Sequence, residues 1–565
     1  MIKYLIIFYL LFNSILFSDT TIVAISQVHH SFGGSGNNRT ISSEIQFPYV
    51  TNDYSSINMR VNLECPTGGC DPWDRKAKIS VYHIDQWIEI GRYVTPYGVE
   101  CGWDIDVTDY RSLLEGEVIL KSFIDTWVEP GWLVSIEFDF VEGQSEYPFT
   151  IVRNLWNYDR LVYGDPTIPV DISTIQEYLP NDTEEAYIRI TTTGHGQGNS
   201  ENAAEFSDKR HNILINGEVS HVHNFWRPDC EFNDCSPQNG TWQYDRAGFC
   251  PGDKVDAQNM SILDFAFPGN TLEFNYVLED YINECSPNNP SCVNGVTCSS
   301  CAYNNTGHTE PFYYIGSQLI IHTTNKHSNA DVYLSVSDQD SSRNSISIYL
   351  ENYIPVYGIS FKLDLSQLEI LGDGNLSINE GIGGRAEESN WTVSTNDSGL
   401  VVALAQGSGN PIQPGEGTFT NLQLNLENIS IPSGYLNIKD VDVAGYFGSE
   451  LSFEIGEPTV FEFLSIGGEV VIPKVNMLHD AYPNPFNPIT TIKYDIPYDN
   501  FVNLSIFNLA GEKIKTLLNE RKKPGLRSVQ WDAKNDLGQP VSAGMYIYTI
   551  QMGDFRQTKK MVFLK

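Results

Sequence analysis

Apolar and polar residues alternate in run after run of this chain, and that period of two constrains its fold more than any other feature. In Ser135-Ile-Glu-Phe-Asp-Phe140 the apolar positions Ile136, Phe138 and Phe140 share one face. Ile346, Ile348 and Leu350 repeat the pattern, as do Ile359, Phe361, Leu363 and Leu365, and then Leu422, Leu424 and Leu426. Segments that bury one face and wet the other are the antiparallel strands of sandwiches. No heptad and no sustained helical stripe occurs; only Asp171 to Tyr178 reads as one short helix. Turn residues are abundant, with 45 Gly and 28 Pro. An all-β protein is expected.

The length of 565 residues suits about four domains at ~150 residues each. Residues 1–18, MIKYLIIFYLLFNSILFS, read as a signal peptide: one Lys precedes an apolar run too short to span a bilayer, and small Ser18 ends it. No later run reaches the ~20 apolar residues of a transmembrane helix. Residues 19–160 are expected to form a first β domain. Residues 165–325 form a second, with a Cys-rich insertion at 283–308. The polar stretch Thr324-Asn-Lys-His-Ser-Asn329 reads as a linker, 330–460 as a third sandwich and 477–565 as a small last one.

In an exported protein the ten cysteines, all before residue 302, read as disulfides. Cys65 and Cys70 close one small loop. Cys230, Cys235 and Cys250 form a second group, for which Cys101 supplies the missing partner. Cys285, Cys292, Cys298 and Cys301 form a third, with three pairings open. The oxidising compartment weighs against zinc at Cys298-Ser-Ser-Cys301. Acids outnumber bases 71 to 35, a formal charge of −36. Such a polyanion repels phosphate backbones, which excludes nucleic acid as a partner; the acidity reads as solubility. Asp338-Gln-Asp340 lacks the Gly and distal Glu of a calcium loop and reads as a solvated turn.

Four clusters carry chemistry. In Cys65-Pro-Thr-Gly-Gly-Cys-Asp-Pro-Trp-Asp-Arg75 a small disulfide loop fixes the backbone just before Trp73, Asp74 and Arg75, and a strand follows. Rigid loops at strand ends are where catalytic side chains sit, and an acid beside an aromatic and an Arg suits sugar binding and proton transfer. In Thr193-Gly-His-Gly-Gln-Gly-Asn-Ser-Glu-Asn-Ala-Ala-Glu-Phe-Ser207 the glycines permit close backbone approach to a ligand, and Glu205 lies among small residues. The glycine spacing is not that of a dinucleotide fold. In Tyr244-Asp-Arg-Ala-Gly-Phe-Cys-Pro-Gly252, Cys250 staples Arg246. The fourth cluster is Asp125-Thr-Trp127, after a strand.

Over roughly residues 50–325 these clusters resemble the peptide-N-glycosidase F family. The resemblance is carried by Gly69-Cys-Asp-Pro-Trp-Asp-Arg75, Ile88-Glu-Ile-Gly-Arg-Tyr-Val-Thr-Pro-Tyr97, Ile105-Asp-Val-Thr-Asp109, Asp125-Thr-Trp127, Ala204-Glu205 and Asp245-Arg-Ala-Gly-Phe-Cys-Pro-Gly252. It implies two adjacent jelly-roll sandwiches with the active site between them. The implied reaction is hydrolysis of the amide joining an Asn side chain to the first N-acetylglucosamine of a glycan, on N-glycosylated proteins or peptides, without metal or organic cofactor. By the same resemblance Asp74 is the essential acid, Glu205 the second required carboxylate and Asp125 an acid standing where the pattern has Glu. Arg75 and Arg246 orient, Trp73 and Trp127 line the cleft, and His195 and Phe249 stand where the pattern has Trp. Ala203 and Ser207 replace flanking cysteines, so Glu205 is expected to be held less rigidly. The insertion at 283–308 is expected to cap or extend the cleft.

Residues 330–460 resemble a cohesin-type sandwich, for instance in Val356-Tyr-Gly-Ile-Ser-Phe-Lys-Leu363 and Leu400-Val-Val-Ala-Leu-Ala-Gln-Gly407, and imply a spacer or docking module. Residues 477–565 resemble the Ig-like C-terminal sorting domain of the type IX secretion system. The motifs are Ala481-Tyr-Pro-Asn-Pro-Phe-Asn-Pro-Ile-Thr490, Gly544-Met-Tyr-Ile-Tyr-Thr-Ile550 and Lys559-Lys-Met-Val-Phe-Leu-Lys565. Three prolines in six residues impose an extended entry, from which Phe486 can plug the sandwich. The resemblance implies recognition by the type IX machinery of a Gram-negative-type bacterium, followed by release or surface attachment; a monomer is expected.

Two rivals remain. His221-Val-His223 and His29-His30 resemble copper-ligand pairs, and copper monooxygenases share the two-jelly-roll architecture. No Met stands in a comparable place near His221, and i, i+2 histidines on a strand also arise by chance. A glycan-binding surface adhesin without turnover is the second; Asp74, Glu205, Arg75 and Arg246 occurring together argue for the amidase.

Overall fold

A computed structural model describes residues 19–34, 36–49, 54–286, 288, 310–340, 345–372, 376–405, 410–426, 429–461, 476–479, 481–509, 511–523, 525–536, 539–553 and 555–564. Residues 1–18, where a signal peptide is expected, most of the Cys-rich insertion, and Cys292, Cys298 and Cys301 lie outside these residues. The described chain is all-β, and its one-turn helix Gly384–Glu388 is an exception.

The first sandwich packs two sheets. One has the strand order Thr20–His30, Trp132–Glu142, Tyr54–Glu64, Cys101–Asp106; the other runs Asp253–Lys254, Gln86–Val94, Lys76–His83, Glu117–Ile124, Thr40–Gln46. Period-two burial builds its core: Ile136, Phe138 and Phe140 are fully buried against Ile57, Met59, Val61 and Leu63. Each such side chain contributes about 1.5–3 kcal/mol on leaving water. The second sandwich packs the sheet Phe149–Val162, Phe312–Thr323, Thr183–His195, Gln258–Ser261 on the sheet Ile175–Tyr178, Thr271–Leu278, His211–Ile215, Glu218–His223. The strand Phe149–Val162, which begins inside the span 19–160 expected for the first domain, pairs instead with Phe312–Thr323 of the second sandwich.

The segment Asp171 to Tyr178 is not a helix. Ile175–Tyr178 is an edge strand whose Ile175 opposes Phe274 and whose Tyr178 opposes Thr271. Pro180 disfavours helical backbone just before it, and the neighbouring strand satisfies the ladder instead. Asp338 to Asp340 likewise continue the strand Val332–Asp340 rather than forming a turn.

The two sandwiches are bolted together. Arg92, fully buried, donates to the carbonyls of Tyr314 (2.7 Å) and Thr191 (3.2 Å) while paired with Glu89. The Tyr110 hydroxyl donates to Gln318 at 3.1 Å. The strand Asp253–Lys254, late in the chain, completes the sheet of the first sandwich beside Gln86–Val94.

A third sandwich (Val332–Phe461) and a fourth (Met477–Phe563) follow, each with its own core. The polar linker expected at 324–329 is instead pinned. His327 bonds Asp182 and Glu351 at 2.8 Å each, and Asn329 accepts from the Val152 N–H at 2.7 Å. In the last sandwich Phe486 is buried beside Phe563 and Trp531, the plug that the proline-rich entry implied.

Candidate active site

The first sandwich presents the loop 65–75 where the strand Lys76–His83 begins. Cys65 and Cys70 are bonded, and the Asp71 N–H then donates to the Gly131 carbonyl at 3.0 Å. The Asp71 carboxylate is fully buried. It accepts from the Trp73 N–H (3.0 Å), from Arg75 Nε (2.7 Å) and Nη2 (3.3 Å), and from the Thr126 hydroxyl (2.7 Å). The Thr95 hydroxyl accepts from the Arg75 N–H at 2.9 Å and donates to the Trp73 carbonyl at 3.2 Å. Asp74 is thereby held from both sides, half-buried.

The second sandwich supplies the opposite wall. Gly194 ends the strand Thr183–His195 against the Ala204 carbonyl, where any side chain would collide. The glycines here serve close approach of the chain to itself. Ala203 and Ala204, which precede Glu205 where the pattern has a flanking cysteine, are fully buried in the second core. The Gly196 N–H donates to Glu205 Oε2 at 3.0 Å, and Arg246 Nη1 donates to Oε1. Arg246, itself buried, also donates through Nη2 to the Thr241 carbonyl (2.9 Å) and to the Tyr97 hydroxyl (3.3 Å). Disulfides Cys230–Cys250 and Cys101–Cys235 fix the loop that carries Arg246, and the second ties it to the first sandwich. Cys285 is also disulfide-bonded.

These walls enclose a cavity of 640 Å³ lined by Trp73, Asp74, Arg75, Asp125, His195, Glu205 and Arg246, with Lys76, Tyr97, Phe249 and Phe312. Burial pushes the Glu205 carboxyl up to about 7. The Asp74 charge adds to this, and Arg246 and the Gly196 N–H oppose it. Burial also pushes the Tyr97 phenol up to about 12, reinforced by the charge of nearby Asp74. Burial lowers the Lys76 ammonium against the pull of Asp125, 4.0 Å away. His195 is held neutral by burial and by the cations Lys76, Arg92, Arg246 and Arg160. Its ring lies between Phe249 and Phe312, 5.1 Å from each.

Seven of the eight site residues expected from sequence therefore face one hollow. Trp127 does not line it. At 52% exposed it packs edge-on against Phe32 and under Arg39, which reaches Asp125 at 3.4 Å. Trp73, 57% exposed, stands at the mouth. The sequence reading did not single out Lys76 and Tyr97 in the lining, nor Asp71 behind it. Asp71 sits inside a quoted motif, where nothing local signals burial; Lys76 opens a strand and reads as a solvated charge; Tyr97 ends another quoted motif. One histidine of each copper-type pair is hydrogen-bonded through both ring nitrogens. His223 bonds Gln258 (2.8 Å) and Thr192 (3.0 Å), and His30 bonds the Arg39 carbonyl and Ser122 (3.1 Å each).

Family models described as peptide-N-glycosidase F, N terminal, and peptide-N-glycosidase F, C terminal, match residues 79–140 and 166–297. The chain is 32% identical over 284 residues to peptide-N(4)-(N-acetyl-beta-D-glucosaminyl)asparagine amidase F of Elizabethkingia miricola, spanning 47% of this chain and 79% of the relative. The chain belongs to the peptide-N-glycosidase F family. Among solved structures, this family member is similar to PNGase F, a glycosylasparaginase from Flavobacterium meningosepticum (29% identity, TM-score 0.48, 55% of this chain and 98% of that one). It is also similar to PNGF-II (16% identity, TM-score 0.41, 55% and 66%). A secretion system C-terminal sorting domain matches residues 480–564, which makes this peptide-N-glycosidase F relative a secreted or cell-surface protein of the type IX route. No helix among the described residues is long and apolar enough to cross a membrane.

Proposed function

We propose that the chain is a secreted amidase that cleaves the bond between an Asn side chain and the first N-acetylglucosamine of N-linked glycans. One observation carries the reading: Asp74 and Glu205, from different sandwiches, border one cavity together with Arg75 and Arg246. The domain division supports it, with the first two sandwiches forming the amidase and the last one the export signal.

The reaction adds water to the amide carbonyl and breaks the C–N bond, leaving Asp and a glycosylamine. Water must lose a proton, and the leaving nitrogen must gain one. Glu205, with its proton affinity raised to about 7, is matched to both transfers near neutral pH. Its two donors, Gly196 N–H and Arg246, favour the ionised form that starts the cycle. Asp74 aligns the substrate amide and the attacking water, Arg75 supports the oxyanion, and Trp73 offers its face to the sugar ring. Asp125, paired loosely with Arg39 and Lys76, closes the polar wall. Incubation with a denatured N-glycoprotein tests the reading. Release of free glycan supports it; glycan retention without release supports the adhesin instead.

A further inference from the structure

The Asp71 carboxylate is the most completely buried acid beside the cleft, and it does not face the cavity. Burying a carboxylate is costly unless its oxygens are satisfied. Here both are, and the partners are not arbitrary. Trp73 and Arg75 flank Asp74, and Thr126 follows Asp125. One side chain thus holds the two loops that bring Asp74 and Asp125 to the same hollow. It also pairs with Arg75, so that this cation is neutralised from behind.

We propose that Asp71 is a positioning residue of the hydrolysis: it sets the loops of Asp74 and Asp125 relative to each other and compensates the charge of Arg75 beside the reacting groups. The inference rests on the amidase reading. It separates two effects, one of geometry and one of charge. Asp71→Asn removes both, whereas Thr126→Val removes one tie to the Asp125 loop and leaves every charge in place.

The charged and titratable groups around the reacting centre are Arg75, Lys76, Asp74, Tyr97, Asp125, His195, Arg246 and Glu205. With Asp71 neutral, the uncompensated Arg75 favours the ionised acids among them. The test measures kcat, KM and the pH dependence of kcat/KM on an N-glycopeptide, with the full chain and its variants checked for folding by circular dichroism. Asp71→Asn is expected to lower kcat about tenfold or more with KM within about threefold, and to move the rise of kcat/KM to lower pH. Thr126→Val is expected to lower kcat about threefold without moving that rise. A folded Asp71→Asn with kcat within about twofold of wild type, or with an unmoved rise, overturns the proposal. If Asp71→Asn does not fold, Thr126→Val decides: kcat within about twofold of wild type overturns it. An inactive wild-type chain overturns the amidase reading and this inference together, whereas an active one with silent variants overturns this inference alone.

Discussion

Arg246 and Tyr97 meet across the junction of the two sandwiches, guanidinium Nη2 to hydroxyl at 3.3 Å. Arg246 reaches Glu205 on its other side, and the charge of Asp74 acts on the Tyr97 phenol. One guanidinium therefore links Glu205, on the second sandwich, to the Tyr97 phenol of the first. Tyr97→Phe keeps the buried ring and deletes the link. It is expected to lower the rate of glycan release about tenfold while the melting temperature changes little. An unchanged rate contradicts the link.

In the proposed mechanism Glu205 sets the pH dependence. Burial pushes its carboxyl up to about 7 in the folded chain, and on the proposed reading the ionised form starts the cycle. The value of kcat/KM is therefore expected to rise as pH increases through about 7 and then to level off. A fall between pH 6 and 8 contradicts this assignment and makes Glu205 the acid. Glu205→Gln is expected to lose activity by about 10²–10⁴-fold.

The tether between the sandwiches is covalent. Cys101 lies on the strand Cys101–Asp106, and Cys235 lies in the loop that carries Arg246. Replacing both by Ala is expected to cost about 2–4 kcal/mol in denaturant unfolding and to slow release, because Arg246 loses its anchorage. Stability and rate equal to wild type contradict it.

His223 is buried and neutral, its affinity for a proton lowered to about 4 by desolvation. A depressed His stabilises the fold above its unfolded value of about 6.5, and that contribution fades as pH falls toward 4. It amounts to at most about 3 kcal/mol. The stability gap between wild type and His223→Gln is expected to shrink from pH 7 to pH 5; a constant gap contradicts the account.

Strand content was legible because alternation is local. Ile136, Phe138 and Phe140 announce their buried face without reference to any other part of the chain. The motifs also located most of the cleft. What sequence reading missed depends on partners distant in the chain. Asp71 looks like a turn acid until Thr126 and Gly131 are brought to it. Ile175–Tyr178 reads as helical until Thr271–Leu278 offers a ladder. Trp127 looks like a cleft aromatic until Phe32 and Arg39 claim its ring. The polar 324–329 stretch looks like a free linker until His327 finds carboxylates from two sandwiches.

The central claim is that Asp74, acting with Glu205 across the junction, hydrolyses the glycan–Asn amide. Mass spectrometry of an N-glycopeptide incubated with wild type and with Asp74→Asn tests it most directly. The account predicts Asn converted to Asp with an intact released glycan for wild type, and no conversion for a folded Asp74→Asn. Full conversion by Asp74→Asn, or cleavage within the glycan by wild type, would contradict it.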